Sequence, residues 1–245
     1  MFQPFLWLLM NSALASGEWQ GVLDSCRSPS GLVNYVAVQQ ASGLDAYIRD
    51  LNQAPEPEDR SERIAFWVNA YNALTVNLVA DHFPIASIRE IDNGKVWRVR
   101  RFTVAGKTLS LDDIERQVLR PLGEPRIHFA LNCAALGCPT LSGMIFEGSK
   151  LSNQLEAAAR AWIPRHGLRI DRQGKGLYLS KIFEWYADDF PASPEGMIPA
   201  VEKRLQGVLQ FLVRYVDESD ANWIRAGEYQ VMFSPYDWGL NGLPQ

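Results

Sequence analysis

Cysteine and histidine are scarce in this chain, with only three of each among 245 residues. Because three is an odd number, at least one of Cys26, Cys133 and Cys138 stays free in any disulfide pairing. No second cysteine or histidine pair exists to complete a tetrahedral zinc site with Cys133 and Cys138. Phosphate-binding glycine loops and the nucleophile elbow are also missing. The sequence therefore predicts neither a metal nor a cofactor.

An excess of basic charge is lacking as well, since the net charge is -4 and acidic and basic residues are interspersed. The only dense basic run is Lys95–Arg101, and its alternation with apolar residues predicts a half-exposed strand. Nucleic acid is therefore not an expected partner. No apolar run reaches the ~20 residues that a transmembrane helix needs, so no integral membrane span is predicted.

A short apolar run, Phe2–Met10, stands near the start of the chain and is followed by the small-residue segment Ser12–Ala15. This combination predicts a signal peptide over residues 1–15 and a periplasmic or otherwise extracytoplasmic protein. The alternative is a hydrophobic N-terminal helix packed on the domain. An oxidising compartment would also permit a disulfide between Cys133 and Cys138.

The remaining residues, 16–245, are predicted to form one α+β domain, because 47% hydrophobic and 21% charged residues suffice for one large core. Helical spacing predicts an amphipathic helix at 44–51 and a buried helix at 64–82 that starts after Asp59. Further helices are predicted near 110–118, 152–162, 181–188 and 199–215, hairpins at 96–109 and 167–180, and strands at 127–131 and 229–233. Because helices and hairpins occur in separate blocks, we expect an antiparallel sheet and a central buried helix.

Cys133 is the candidate nucleophile. It follows the predicted strand and precedes Ala134–Gly137, a string able to form one helical turn that directs backbone N–H groups at the sulfur. The alternative is a buried cysteine that acts as a small hydrophobe.

His128 is the nearest histidine in the sequence. In an extended strand five residues span roughly 16 Å, so its imidazole reaches Cys133 only if the chain folds back after Asn132. Strand alternation puts Arg126, His128 and Asn132 on one face, which could line a cleft. A hydrogen-bonded histidine at a sheet edge is the alternative, and His82 or His166 could be the partner of Cys133 instead.

Several polar side chains are further candidates for this site. Asn69 and Asn72 share one flank of the buried helix, and they either secure a neighbouring loop or donate to a substrate oxygen. Glu115 could orient a histidine, and otherwise it forms a surface ion pair. Asp237 is a possible third carboxylate within an aromatic cluster that otherwise packs the chain terminus.

Five spaced motifs resemble the family known as domain of unknown function 547. They are Phe66–Thr75, Leu111–Glu115, Arg126–Pro139, Leu179–Tyr186 and Tyr236–Asn241. The resemblance covers about residues 31–241 and implies a papain-like or transglutaminase-like cysteine-peptidase fold with a thiol site. The family usually has Ile-Glu-His where this chain has Ile114-Glu115-Arg116, which implies an altered or inactive member if that histidine carries the proton.

Two functions remain open. The first is a thiol-dependent hydrolase or transferase for an amide, thioester or thiol-containing small molecule or peptide. Its catalytic residues would be Cys133, His128 and Glu115, and its binding residues Asn69, Asn72, Arg116, Arg126 and Asn132. The second is a non-catalytic module that binds a peptide or partner in a peptidase-like cleft, which the Arg116 departure favours. Both place Cys133 at the floor of a pocket, with Cys138 as a structural sulfur.

Overall fold

The computed structural model describes residues 17–244, so the predicted signal peptide lies outside the described residues. The first half is mostly helical: α1 (residues 17–26), α2 (Tyr35–Gln40), α3 (Ser42–Gln53), α4 (Arg60–Ala80), a 3₁₀ segment (Ile88–Gly94) and α5 (Val96–Val99). There follow β1 (Phe102–Val104), β2 (Lys107–Leu109) and α6 (Leu111–Asp113), which continues as a π-helix (Ile114–Leu119) and a 3₁₀ turn (Arg120–Leu122).

The second half opens with a 3₁₀ helix (Pro125–Phe129) and a long loop. Then come a 3₁₀ turn (Gly148–Lys150), α7 (Leu151–Trp162), a π-helical turn (Ile163–Gly167), β3 (Leu168–Asp171), β4 (Gly176–Leu179), α8 (Lys181–Trp185) and a 3₁₀ turn (Ala187–Asp189). The last elements are a 3₁₀ turn (Lys203–Leu205), α9 (Gln206–Leu212), α10 (Glu218–Ala226) and β5 (Gln230–Phe233). None of the helices in residues 17–244 combines the length and apolar character needed to cross a membrane.

Helix α4 is the buried central helix that the sequence predicts. It begins where the Asp59 side chain accepts hydrogen bonds from the N–H groups of Ser61 and Glu62, which otherwise have no partner in a helix's first turn. Buried residues then occupy all sides of the helix, and Trp67 is 0% exposed. A helix with apolar residues on all sides is stable only where protein surrounds it.

The sheets are small, and the chain is a mixed α+β protein as predicted. Strands β1 and β2 form a separate antiparallel hairpin, and β3, β4 and β5 form a second sheet in that order. Strand β4 pairs antiparallel with β3 but parallel with β5, so the prediction of a purely antiparallel sheet is wrong. Between β4 and β5 the chain passes through α8, α9 and α10, which gives the long connection that parallel strands require.

The predicted strand at Ile127–Leu131 is also wrong, because this segment begins as the 3₁₀ helix Pro125–Phe129. The proline ring fixes a helical φ, and the Glu124 side chain caps the turn by accepting the N–H of Arg126. A short buried apolar run has the same sequence appearance in a strand and in a helix. The 16 Å separation expected for His128 and Cys133 in an extended strand therefore does not apply.

Two smaller predictions also differ from the structure, and one helix was not predicted. Val96–Val99 forms the short helix α5 instead of the beginning of a strand. The helix expected at 199–215 begins only at Lys203, and its α-helical part is Gln206–Leu212. Helix α10, for which we made no prediction, starts at an Asp217 cap that accepts the N–H of Asp220.

Two hydrophobic cores meet at the segment around His128. The first contains α1–α4 and residues as far as Leu155, and the second contains the three-stranded sheet and α8–α10. Ile127, Ala130 and Leu131 pack in the first core, whereas Phe129 packs in the second. The candidate cysteine follows directly, so it lies at the junction between the cores.

Candidate functional site

The loop from Cys133 to Cys138 is held against the C-terminal segment. Backbone hydrogen bonds join Leu136 to Gly239, Gly137 to Asp237 and Asn241 to Ala134, over 2.8 to 3.1 Å. Ala134 adopts the left-handed conformation with φ 64°, and a turn closes where the N–H of Cys138 donates to the carbonyl of Ala135. The predicted helical turn at Ala134–Gly137 is thus wrong, since pairing with residues 237–241 replaces it.

Asn72 fixes the chain just before Cys133. Its side-chain N–H donates to the carbonyl of Ala130 over 3.0 Å, and its oxygen accepts the N–H of Asn132 over 2.8 Å. The Asn132 side chain in turn donates to the carbonyl of Pro139 and accepts from Ala134 and Asn241. Every partner is buried, so Asn72 and Asn132 position the loop by satisfying its backbone groups.

The hydroxyl of Tyr236 lies 3.3 Å from the Cys133 sulfur. The Cys138 thiol and the backbone N–H of Ala135 also favour the ionised form of this sulfur. The hydrogen bond from Cys138 is the largest influence and lowers the pKa of Cys133; burial and the charge of Glu115 oppose it, and Tyr236 and Ala135 add to the lowering. Burial raises the pKa of Tyr236, so this hydroxyl keeps its proton and remains a donor.

Cys138 is the protonated member of the cysteine pair. It is 7% exposed, and burial followed by its hydrogen bond to Cys133 raises its pKa well above the usual value. Its sulfur accepts the N–H of Cys133 over 2.9 Å and lies 3.5 Å from the carbonyl of Leu131. The single thiol proton points either at Leu131 or at the Cys133 sulfur, and an ionised Cys133 attracts it.

His128 is held by a carboxylate that the sequence did not identify. Its Nε2 lies 2.7 Å from Asp189 Oδ2, and its ring stacks on Tyr186 with 4.0 Å between centroids. Asp189 also accepts two hydrogen bonds from Arg120, each of 2.7 Å. Partial burial opposes ionisation of Asp189, but the hydrogen bonds from His128 and Arg120 outweigh it and lower the pKa to about 2. Within residues 17–244, Nδ1 of His128 has no hydrogen-bond partner, so this nitrogen is available for proton transfer.

Glu115 lies within electrostatic reach of both His128 and Cys133. Burial raises the pKa of its carboxyl, against the opposing effects of His128, the hydrogen bond from Tyr186 and the charge of Arg120. Such a carboxyl holds its proton closer to neutral pH than an exposed one, which suits an acid–base group.

These groups meet in one cavity of about 440 Å³. Cys133, Cys138, His128 and Glu115 all line it. Its mouth carries aromatic rings, and Trp185 is 42% exposed there. The rings in mutual contact are Trp97, Trp185, Tyr236 and Trp238, with neighbouring centroids 4.6 to 5.9 Å apart. We call these four residues the aromatic wall.

Other residues predicted for the site lie away from the cavity. Both amide atoms of Asn69 are bound to the backbone of Phe146. Arg116 is exposed and pairs with Asp112 over 3.3 Å. Arg126 pairs with Glu124 and Glu156 and borders a different depression.

The remaining alternatives are likewise engaged elsewhere. His82 binds the carbonyl of Leu78, and His166 packs against Trp162. Asp237 accepts the N–H of Gly239 within its own turn. Among the described residues, no group of three or more His, Cys, Asp or Glu side chains could hold a metal ion.

Several motifs of the family resemblance meet at this one cavity, and a match to a known family covers part of them. Residues 55–163 match the family described as Protein of unknown function, DUF547. The resemblance is thereby confirmed for this segment. No curated protein and no solved structure matches the chain. The DUF547 segment supplies Glu115, His128, Cys133 and Cys138, whereas Asp189 and the rings of α8 and the C-terminal segment come from outside it.

Sequence reasoning missed the roles of Asp189 and Tyr236. Asp189 stands three residues after the motif Leu179–Tyr186. Tyr236 opens the motif Tyr236–Asn241, in which Asp237 was the candidate residue. Their partners lie 61 and 103 residues away along the chain. The one available signal was that both residues stand in or beside the motifs of the family resemblance that are rich in aromatic residues.

Proposed function

We propose that this protein is a cysteine-dependent hydrolase or acyl transferase that acts on an amide or thioester through Cys133. The observation that carries the proposal is the joint presence of Cys133 and His128 in one cavity. The sulfur lies 3.3 Å from the Tyr236 hydroxyl and has a lowered pKa, and the imidazole is held by the ionised Asp189. A thiolate beside an oriented imidazole is the basis of cysteine-dependent acyl transfer.

The chemistry follows from the roles of these groups. The thiolate of Cys133 attacks the substrate carbonyl carbon, and the sulfur–carbon bond replaces the bond to the leaving amine or thiol. His128 supplies the proton of the leaving group through Nδ1, since Nε2 is engaged by Asp189. Water or an acceptor amine or thiol then takes the acyl group from Cys133. Glu115 lines the same cavity and interacts electrostatically with His128, and in this scheme it assists the second proton transfer.

The aromatic wall supports a substrate with an apolar or flat group next to the reacting carbonyl. Tyr236 belongs both to the wall and to the donors around Cys133, so a group stacked on the wall lies beside the sulfur. The cavity volume of about 440 Å³ is in the range of small-molecule sites. A small molecule or the end of a peptide is the proposed substrate class.

A relationship to papain-like cysteine peptidases is part of this proposal at the level of shared chemistry. A cysteine, a histidine and a side-chain oxygen that orients the histidine are common to both. Arg116 does not remove the base in this scheme, because His128 serves as the proton carrier and Arg116 faces solvent.

The test is capture of an acylated Cys133. Purified protein is mixed with p-nitrophenyl esters and aryl thioesters, quenched in acid and analysed by peptide mass spectrometry. We expect an acyl group on Cys133 in the parent protein and in the control Cys26→Ala, whose cysteine is buried elsewhere. Cys133→Ala should carry none. His128→Gln should form or discharge the adduct at least tenfold more slowly, the lower limit for loss of a general acid or base.

The same experiment separates the enzyme from a binding module. A module that only binds would not form acyl-Cys133 and then lose it at the rate at which product is released. The proposal of an enzyme would be refuted if acyl-Cys133 stayed stable and formed no more slowly in His128→Gln than in the parent protein.

A further inference from the structure

Cys133 and Cys138 line the same cavity but differ in exposure. Cys133 is half-buried, whereas Cys138 is buried. The Cys138 sulfur lies 2.9 Å from the backbone nitrogen of Cys133, so the two residues are in direct contact. Acyl transfer needs only one nucleophilic sulfur, and a second thiol in contact with it is more than a hydrogen-bond donor for the first requires.

An accessible thiolate backed by a protonated, inaccessible thiol is the arrangement needed for thiol–disulfide exchange. The first sulfur attacks a disulfide, and the second displaces the product from the mixed disulfide that results. Contact between the two residues matters because the second attack must be intramolecular. The backbone supports this, since a tight turn from Ala135 to Cys138 brings the ends of the loop together.

We propose that Cys133 and Cys138 form a redox-active pair that exchanges with low-molecular-weight disulfides entering the cavity. In the first step the Cys133 thiolate attacks one sulfur of the disulfide, a new sulfur–sulfur bond forms, and one thiolate leaves. In the second step Cys138 attacks the Cys133 sulfur and releases the other half of the molecule as a thiol. The proton of Cys138 passes to the departing thiolate. The disulfide gains two electrons, and the cysteine pair loses them.

The cavity favours a small disulfide over a disulfide within a folded protein. Cys133 and the aromatic wall line one concave cavity of about 440 Å³. A small flexible molecule fits a cavity of this size, whereas a folded protein does not. Tyr236 would act in this reaction as it does in the reduced state, by hydrogen-bonding to the attacking sulfur.

Oxidation of the pair also removes the nucleophile that the proposed acyl transfer uses. In the disulfide form Cys133 has no thiolate, so acylation stops until a reductant restores it. The exchange reaction itself does not depend on acyl transfer. A protein that never forms acyl-Cys133 could still reduce disulfides with this pair.

Oxidised glutathione is the probe for the test. The reduced full-length protein is mixed with it, quenched with N-ethylmaleimide in acid and analysed by intact and peptide mass spectrometry. We expect the parent protein and the control Cys26→Ala to end with a Cys133–Cys138 disulfide and no bound glutathione. Cys138→Ser should stop at the mixed disulfide and keep one glutathione on Cys133. Cys133→Ser should not react, because Cys138 is buried.

Several results would overturn the proposal. One is that the parent protein keeps as much glutathione on Cys133 as Cys138→Ser does. Another is that Cys133→Ser reacts with oxidised glutathione as fast as the parent protein. Peptide mapping of the oxidised parent protein needs no variant, and the lack of a Cys133–Cys138 bridge there would be equally decisive. Acyl capture at Cys133 is scored separately, so failure of one reaction leaves the other measurable.

Discussion

At the scale of single residues, the three cysteines show how neighbours decide the chemistry of one side chain. Cys26 packs in the first core and is 4% exposed. Cys138 is buried too, and burial raises its pKa. Cys133 alone is both reachable and surrounded by donors, which lower its pKa despite the opposing effect of burial. Reactivity of a thiol follows the fraction of thiolate, so Cys133 should be alkylated fastest.

Tyr236→Phe tests the hydroxyl donor at the Cys133 sulfur. The substitution keeps the ring in the aromatic wall and removes only the hydrogen bond, so the pKa of Cys133 should rise. Hydrogen bonds to charged groups contribute about 1.5–3 kcal/mol, hence we expect iodoacetamide to label Cys133 roughly tenfold more slowly at slightly acidic pH. The measurement is the labelling rate of Cys133 against pH, followed by peptide mass spectrometry.

The matched control for Tyr236→Phe is Tyr229→Phe. The hydroxyl of Tyr229 donates to the buried carbonyl of Ile224 over 2.8 Å, away from the cavity. This variant should lose some stability and leave the labelling profile of Cys133 unchanged. Equal profiles for the parent protein and Tyr236→Phe would mean that the hydroxyl does not stabilise the thiolate.

The residues of the cavity could be predicted only where they fall within motifs of distinctive composition. Cys133, His128 and Glu115 were singled out from such motifs, and the structure brings all three to one cavity. Asp189 was not, because a carboxylate on a short turn resembles any solvated residue until the chain folds. Asn69 and Asn72 look alike in the sequence, yet one binds the loop before Cys133 and the other the backbone of Phe146.

At the scale of elements, helix α4 is the support of the cysteine loop. Its length and burial followed directly from an apolar run with an Asp59 cap, which explains why it was predicted well. The 3₁₀ helix Pro125–Phe129 could not be recognised in the same way, because five residues are too few to display a period. Its conformation is determined by a proline, by a local cap and by packing, because some of its apolar side chains lie in the first core and some in the second.

Asn72→Ala tests the link between α4 and the cysteine loop. It leaves the buried N–H of Asn132 and the carbonyl of Ala130 without partners, and each such group costs about 1–3 kcal/mol. We therefore expect a loss of about 3 kcal/mol in the free energy of unfolding, measured by urea denaturation. Labelling of Cys133 in the folded variant should also change, because the loop that carries the sulfur loses its anchor.

Asn77→Ala is the corresponding control on the same helix. The Asn77 side chain donates to Asp81 at the surface, so its removal should cost well under 1 kcal/mol. If both variants lost the same stability, the loss would not come from the contacts of Asn72 and the anchor would have no special role.

At the scale of the whole molecule, the cavity lies between two cores that contribute different kinds of residue. The first core and the DUF547 segment contribute Cys133 and its neighbours, whereas α8, the turn after it and the C-terminal segment contribute Asp189, Trp185 and Tyr236. The ion pair of Arg120 with Asp189 and the hydrogen bond of His128 to the same carboxylate join the two parts. The orientation of His128 and the attachment of the two parts thus depend on one carboxylate.

Asp189 should therefore make stability depend on acidity. Its pKa in the folded protein is about 2, below the ordinary 3.8, so its stabilising effect is complete above pH 4 and is lost as the pH falls through 2. With partial solvent screening, the difference corresponds to about 1–2 kcal/mol. Asp189→Asn should be less stable than the parent protein at pH 7 by at least this amount. Its free energy of unfolding should decline less between pH 4 and pH 2.

Urea denaturation at pH 7, 4, 3 and 2 measures this difference, with Asp188→Asn as the neighbouring control. The Asp188 side chain is 73% exposed and pairs with Arg204 at 3.3 Å on the surface, so this variant should keep the acid sensitivity of the parent protein. Parallel pH curves for the parent protein and Asp189→Asn would show that the carboxylate does not join the two cores. Distinct curves, together with slower discharge of acyl-Cys133 in Asp189→Asn, would mean that the contact which joins the cores also orients the imidazole.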